Sequence, residues 1–132
     1  MPRHFPWQHL DNAAAAELLS IARNRYFGEA IGWPGIGAET IWTTVRRVTI
    51  EYESEAFADE ILIAGVRTVQ RTNRTLLLHQ SVWTQTGREV VRSEAVVVTF
   101  DVRLRLVVTV PDEFWALIEA FDGPIKSGPK GS

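Results

Sequence analysis

The chain has 132 residues, 45% of them hydrophobic, and its 14 Lys and Arg against 16 Asp and Glu leave a formal net charge of -2 at pH 7. That length supports one domain with a sizeable core, and that composition argues against disorder. The slight acidic balance offers no electrostatic footprint for nucleic acid, and the absence of cysteine excludes disulfides, thiolate nucleophiles and Cys-based metal centres.

Residues 1–10, MPRHFPWQHL, are interrupted by Pro2 and Pro6 and allow at most a brief edge strand. They contain no apolar run of signal-peptide length, and no stretch reaches the roughly 20 apolar residues of a membrane helix, so a cytoplasmic protein without membrane contact is expected. Asp11 to Gly32 then reads as one long helix. Ala14, Ala15, Leu18, Leu19, Ile21, Ala22 and Tyr26 cover most of its circumference, which predicts a central, enclosed element. Asp11 and Asn12 are good N-cap types, and Gly32 ahead of Trp33-Pro34-Gly35 is a stop signal. The free N–H groups at the start of that helix carry partial positive charge and mark the place to look for chemistry.

Beyond Gly37 the period changes from about 3.6 to 2. Ile41 to Tyr52 predicts a strand with Val48, Ile50 and Tyr52 on one face and Arg47, Thr49 and Glu51 on the other. Asp59 to Gln70 is the next, with Ile61 and Ile63 opposite Leu62 and Val66, so both faces are expected to be partly covered. Thr75 to Thr84 returns after a polar connection, and Thr86-Gly87 makes a hairpin into Arg88 to Phe100. A last strand is predicted over Val102 to Val110, with Leu104, Leu106, Val108 and Val110 facing inward and Arg103 and Arg105 facing water. Pro111-Asp112-Glu113 opens a short amphipathic helix through Phe121. The expected organisation is a single domain over residues 1–122 and a loose tail over 123–132. An α+β architecture follows, in which a curved antiparallel sheet wraps the long helix.

Several local strings, in this order, resemble those of the hotdog-fold acyl thioesterases of the 4-hydroxybenzoyl-CoA thioesterase-like group. Gln8-His9-Leu10-Asp11-Asn12 precedes the helix, Arg23 follows at a similar interval, and Val98-Thr99-Phe100-Asp101 and Val110-Pro111 match the final strands and closing helix. Thr49-Ile50-Glu51-Tyr52 and Phe57-Ala58-Asp59-Glu60 resemble the second strand and the turn after it. The Gln-His pair is also similar to that of the plant acyl-carrier-protein thioesterases. The resemblance covers roughly residues 5–121 and implies a hotdog fold, a dimer or dimer of dimers, and activity on an acyl-CoA or acyl-carrier-protein thioester. Phe5 and Arg3 stand where many members of that group carry an aspartate.

Hydrolysis of a thioester needs an oxyanion site and a group that delivers water or attacks directly. The start of the helix supplies N–H donors for the first. For the second the candidates are His9, Asp11, Glu17 and Glu55, with Asn12 beside them at the start of the helix. His9 is a general base of suitable intrinsic pKa. Glu17 lies one and a half turns into an otherwise apolar helix and must face a cleft, an ion pair or a partner subunit. Glu55 falls in a short loop, where solvation is the ordinary explanation. The resemblance further implies that Gln8 and the connection Arg71, Asn73, Arg74 and Thr75 contact the substrate, the arginines gripping the phosphates of its nucleotide end. Tyr52, His79 and Trp83 read as core or interface residues. Three histidines without ligand spacing, His4, His9 and His79, imply no metal, and no other cofactor is expected. The competing reading, suggested by Phe5 and Arg3, is a non-hydrolytic acyl-CoA-binding or regulatory domain.

Overall fold

A computed structural model describes residues 12–33, 39–57 and 59–128. Helix α1 (Asn12–Arg25) runs directly into a π-helical segment (Tyr26–Ile31) and is followed by strands β1 (Ile41–Tyr52), β2 (Leu62–Arg71), β3 (Thr75–Thr84), β4 (Glu89–Asp101) and β5 (Leu106–Val108). Helix α2 (Asp112–Asp122) and a two-residue strand, β6 (Lys126–Ser127), close the described chain. The six strands form one sheet in the order β1-β4-β3-β2-β6, with β5 paired to the end of β4. All pairs are antiparallel except β2 with β6. This is the expected α+β arrangement. Among the described residues, no helix is long and apolar enough to cross a membrane.

The ends of the elements follow from local chemistry. Gly32 adopts φ 77°, the left-handed conformation that a side chain resists, and its N–H returns to the Phe27 carbonyl to stop the helix. Gly87, at φ 96°, turns β3 into β4, and its N–H donates to the Thr84 carbonyl. Asp112 and Glu113 occupy the first turn of α2, where its dipole favours carboxylates, directly after Pro111.

Two apolar clusters lie between the helices and the inner face of the sheet. In one, Ala15 and Leu19 of α1 meet Val82, Val90, Val91 and Ala56. The other is larger and aromatic, joining Tyr26, Phe27 and Trp33 to Leu76, Leu78, Phe114 and Ile118. Phe114 is fully buried at its centre, stacked on Trp33 with ring centroids 4.5 Å apart and edge-on to Phe27 at 5.8 Å. The inner parity of β1 is as expected, with Val48 and Ile50 packed on these clusters.

Three expectations are corrected. The α1 helix is enclosed on one side only, because Ala13, Ala16, Glu17, Ile21 and Arg25 remain exposed in the single chain. The outward face at the start of β2 is open, with Ile61 just before the strand and Ile63 within it both exposed, since no second layer covers them in the single chain. The predicted strand from Val102 shrinks to Leu106–Val108. The Asp101 carboxylate accepts from the N–H groups of Arg103 and Leu104, and Arg105 takes φ 60°, so a tight turn interrupts the extended pattern. Leu104 and Leu106 consequently face solvent, whereas Val110 is buried.

These placements predict opposite outcomes for two similar truncations. Phe114→Ala empties the aromatic cluster and is expected to cost about 3–5 kcal/mol in urea denaturation. Leu104→Ala is expected to stay within about 0.5 kcal/mol of the parent. Comparable losses for both would contradict this account of the core.

Candidate functional site

The start of α1 is built from small residues. Ala15 is fully buried against β3 and β4, while Ala13 and Ala16 are exposed, so backbone at this end can be approached closely. No acidic residue occupies the first turn of α1, whereas Arg23 and Arg25 stand in its last. The positive end of the dipole is thus not neutralised from within the helix. Glu17 lies close to this end, exposed and without a partner among the described residues. Gln8, His9 and Asp11 fall outside the described residues, and Asn12 is the first residue of α1.

The loop after β1 reaches the same end of the sheet, because Ala56 packs in the cluster that holds Ala15 and Leu19. Arg88 organises this loop, donating to the Ser54 hydroxyl (3.2 Å), the Glu55 carbonyl (2.7 Å) and the Glu60 carboxylate (2.8 Å). The hydrogen bond from Arg88, followed by that from the Phe57 N–H, holds the Glu60 carboxyl below its usual range. Glu55 itself is exposed. The structure therefore gathers the start of α1, Glu17 and the loop carrying Glu55 at one end of the sheet.

The β2–β3 connection lies at the other end. Thr75 is seven residues along β3 from Val82, the neighbour of Ala15, which is roughly 20 Å of extended chain. Arg71 is committed to α2, with its guanidinium 3.4 Å from Glu119 and 4.8 Å above the Trp115 ring. The buried Thr75 shares a 2.6 Å hydroxyl contact with Thr72. Asn73 and Arg74 have exposed side chains. Within one chain, the described residues of the two groups, Glu17 and Glu55 on one side and Arg71 to Thr75 on the other, are not adjacent.

Two polar arrangements were not anticipated from the sequence. Beneath the middle of α1, the buried Gln80 amide donates to the Leu19 carbonyl (2.9 Å) and accepts from Arg23 (2.8 Å). Burial lowers the Arg23 pKa from its usual value. Ser93, opposite Gln80 on β4, is buried with a hydroxyl that has no partner among the described residues. Gln80 sits at an inward position between Leu78 and Val82, so its parity was the signal. Farther along, the Tyr26 hydroxyl bonds Thr68 (2.7 Å) and the Asp122 carboxylate, which also accepts from the Thr68 N–H (3.0 Å). Tyr52 and His79, expected in the core or an interface, are exposed, and His79 bonds Glu94 at 2.9 Å. Trp83 is half-buried against Gly65.

An apolar groove of about 610 Å³ also runs between α1 and β2, lined by Leu18, Ile21, Ala22, Leu62, Val66 and Phe121. Among the described residues there is no cluster of three or more His, Cys, Asp or Glu placed to hold a metal ion.

The family model for the thioesterase-like superfamily matches residues 6–118. The chain belongs to that superfamily. A thioesterase from Thermus thermophilus, solved with coenzyme A and Zn, superposes with a TM-score of 0.76 over 90% of this chain and 85% of its own, at 23% identity. A hypothetical protein from Staphylococcus aureus in complex with CoA gives 0.74 over 92% and 79%, at 14% identity. A predicted thioesterase from Bacillus stearothermophilus gives 0.77 over 98% and 95%, at 13% identity. Among curated proteins, no sequence match is found. At these identities the superpositions establish the hotdog fold, and the superfamily match supports thioester hydrolysis as the general activity.

The Tyr26 network gives the fold an alkaline limit. Burial, followed by the bond to Asp122, pushes the Tyr26 phenol above its usual value near 10. Below that pH both folded and unfolded chains keep the proton. Above it the unfolded chain loses the proton first, so stability falls as pH rises. Tyr26→Phe is expected to cost about 1–3 kcal/mol near neutrality, by stranding Asp122 and Thr68, yet to lose less stability between pH 8 and 10.5. Parallel pH dependences in urea denaturation of parent and variant would contradict this assignment.

Proposed function

We propose that this member of the thioesterase-like superfamily hydrolyses an acyl-CoA or acyl-carrier-protein thioester at the start of α1. The observation that carries the reading is a helix start made of small residues, with no acid in its first turn and an exposed carboxylate, Glu17, close by. In this mechanism the thioester carbonyl oxygen points at the N–H groups at the beginning of α1, which stabilise the negative charge of the tetrahedral intermediate. His9 takes a proton from water as it attacks the carbonyl carbon, and Asp11 or Glu17 orients that water or the imidazole. Asn12 holds the approach to the helix. Collapse of the intermediate breaks the C–S bond, and the thiol leaves with a proton.

CoA is favoured as carrier because two structures of similar fold were solved with it. Gln8 contacts the thioester arm in this reading. Of the β2–β3 connection, Asn73 and Arg74 are available to grip phosphate, Thr75 shapes the turn, and Arg71 steadies it through α2. The separation of this connection from the start of α1 within one chain is consistent with a substrate that spans two subunits. A homodimer, or a dimer of dimers, is further supported by the β1 edge, which has no strand beside it among the described residues. That strand exposes Trp42, Val45 and Tyr52.

The test is thiol release from a panel of short, long and aromatic acyl-CoAs by the parent, His9→Ala and Asp11→Asn proteins. Turnover by the parent is expected, falling more than about 100-fold in His9→Ala, the size of a lost general base. Full turnover in both variants would overturn the mechanism. Saturable acyl-CoA binding without turnover would instead favour the acyl-binding reading suggested by Phe5 and Arg3.

A further inference from the structure

The face of the sheet turned away from α1 carries a groove that meets the β2–β3 connection at Thr75 and whose other lining residues the thioester reading does not use. It has a volume of about 620 Å³ and runs across four strands, with Arg46 and Arg47 of β1 on one wall and Gln70 and Thr72 on the other. Val96 and Leu77 form its apolar floor. The floor follows from register, since Arg47 stands opposite Val96, Val96 opposite Leu77, and Leu77 opposite Gln70. Three strand spacings make the row about 14 Å long.

The arginine wall depends on an irregularity. In a regular strand, Arg46 and Arg47 would point to opposite faces. The register of β1 against β4 shifts between Val45 and Arg47, a bulge that lets both side chains line the same groove. Both are exposed, and among the described residues neither has a carboxylate partner. Two neighbouring guanidinium groups on one face repel, and an anion seated between them relieves that repulsion. The groove's own carboxylate, Glu94, is already bonded to His79 at 2.9 Å.

We propose that this groove binds a phosphate-bearing nucleotide, with its phosphates on Arg46 and Arg47. A carboxylate or free phosphate needs no groove of this length, and a bare polyphosphate has no use for an apolar floor. A nucleotide uses each part. The paired forks of Arg46 and Arg47 suit phosphate oxygens, Leu77 and Val96 offer a surface to the base and ribose, and Gln70 and Thr72 meet polar edges. The nucleotide is either free or the adenosine phosphate end of a CoA thioester. Only the second source rests on the function proposed above, because binding here is read without turnover.

The experiment is calorimetric titration of the full chain with ADP, with CoA and with pyrophosphate at low ionic strength. It compares the parent with Arg46→Ala/Arg47→Ala and with Arg103→Ala, which removes an exposed arginine outside the groove. ADP and CoA are expected to bind the parent more tightly than pyrophosphate. The double variant should lose about 100-fold in affinity, roughly tenfold per arginine, while Arg103→Ala leaves affinity unchanged and thermal unfolding confirms that both variants fold. ADP competing with acyl-CoA in thiol release assigns the groove to the substrate's own nucleotide end. ADP binding that leaves thiol release unchanged assigns it to a separate nucleotide. Equal ADP affinity in the parent and the double variant, or no ADP binding at millimolar concentration, would overturn the proposal. Failure of thiol release alone, with ADP binding intact, would count against the proposed function and leave the groove standing.

Discussion

Gln80 reaches up from the sheet to the backbone of α1, and the placement of the helix depends on that contact. Its amide is satisfied at both ends, by the Leu19 carbonyl above and by the Arg23 guanidinium beside it. A buried amide left unpaired would be costly, so the two partners fix both the height and the rotation of the helix. Apolar packing alone is less directional. With Ala15 and Leu19 seated on Val82, Val90 and Val91 on one side of this contact, and Tyr26 and Phe27 in the aromatic cluster on the other, the start of the helix is held over one end of the sheet. The Tyr26–Thr68–Asp122 network then locks α2 to the π-helical segment.

This arrangement leaves α1 half covered. Its exposed side carries Ala13, Ala16, Glu17 and Ile21, and β1 leaves an edge with exposed aromatic side chains. Both features fit the proposed assembly, in which the substrate site is completed between subunits and the proposed carrier-binding connection and oxyanion site need not touch within one chain. The outer face of the sheet is chemically different. There the bulge in β1 concentrates positive charge, and the two faces of one sheet thereby suit two different parts of a thioester carrier, or two different ligands.

Much of this was legible in the sequence where periodicity and turn chemistry agree. The long helix with its Gly32 stop, the strands Ile41–Tyr52 and Thr75–Thr84, the Gly87 hairpin and the Pro111 start of α2 are all as read. The predicted strand from Val102 failed because alternation of Leu104 and Leu106 with arginine looks the same in a strand and in an exposed turn. The side-chain bonds of Asp101 decided between them. Enclosure of α1 was over-read for a similar reason, since apolar residues around a helix record that they are covered but not by which chain. The small-residue start of α1 was legible as Asn12 and its alanines, with Glu17 standing out as a lone carboxylate among them. Pairing of Arg46 with Arg47 was not legible, because a bulge leaves no mark in a run of Thr, Val and Arg.

The central claim is that the thioester carbonyl is held at the start of α1. Its most direct test is amide chemical-shift mapping of the ¹⁵N-labelled full chain titrated with a non-hydrolysable thioether analogue of an acyl-CoA. The account predicts the largest shifts at the amides of Asn12 and Ala13, the first of α1, with Glu17 moving in parallel. Shifts confined to the groove between α1 and β2, at Ile21, Leu62 and Phe121, with the start of the helix unmoved, would contradict it.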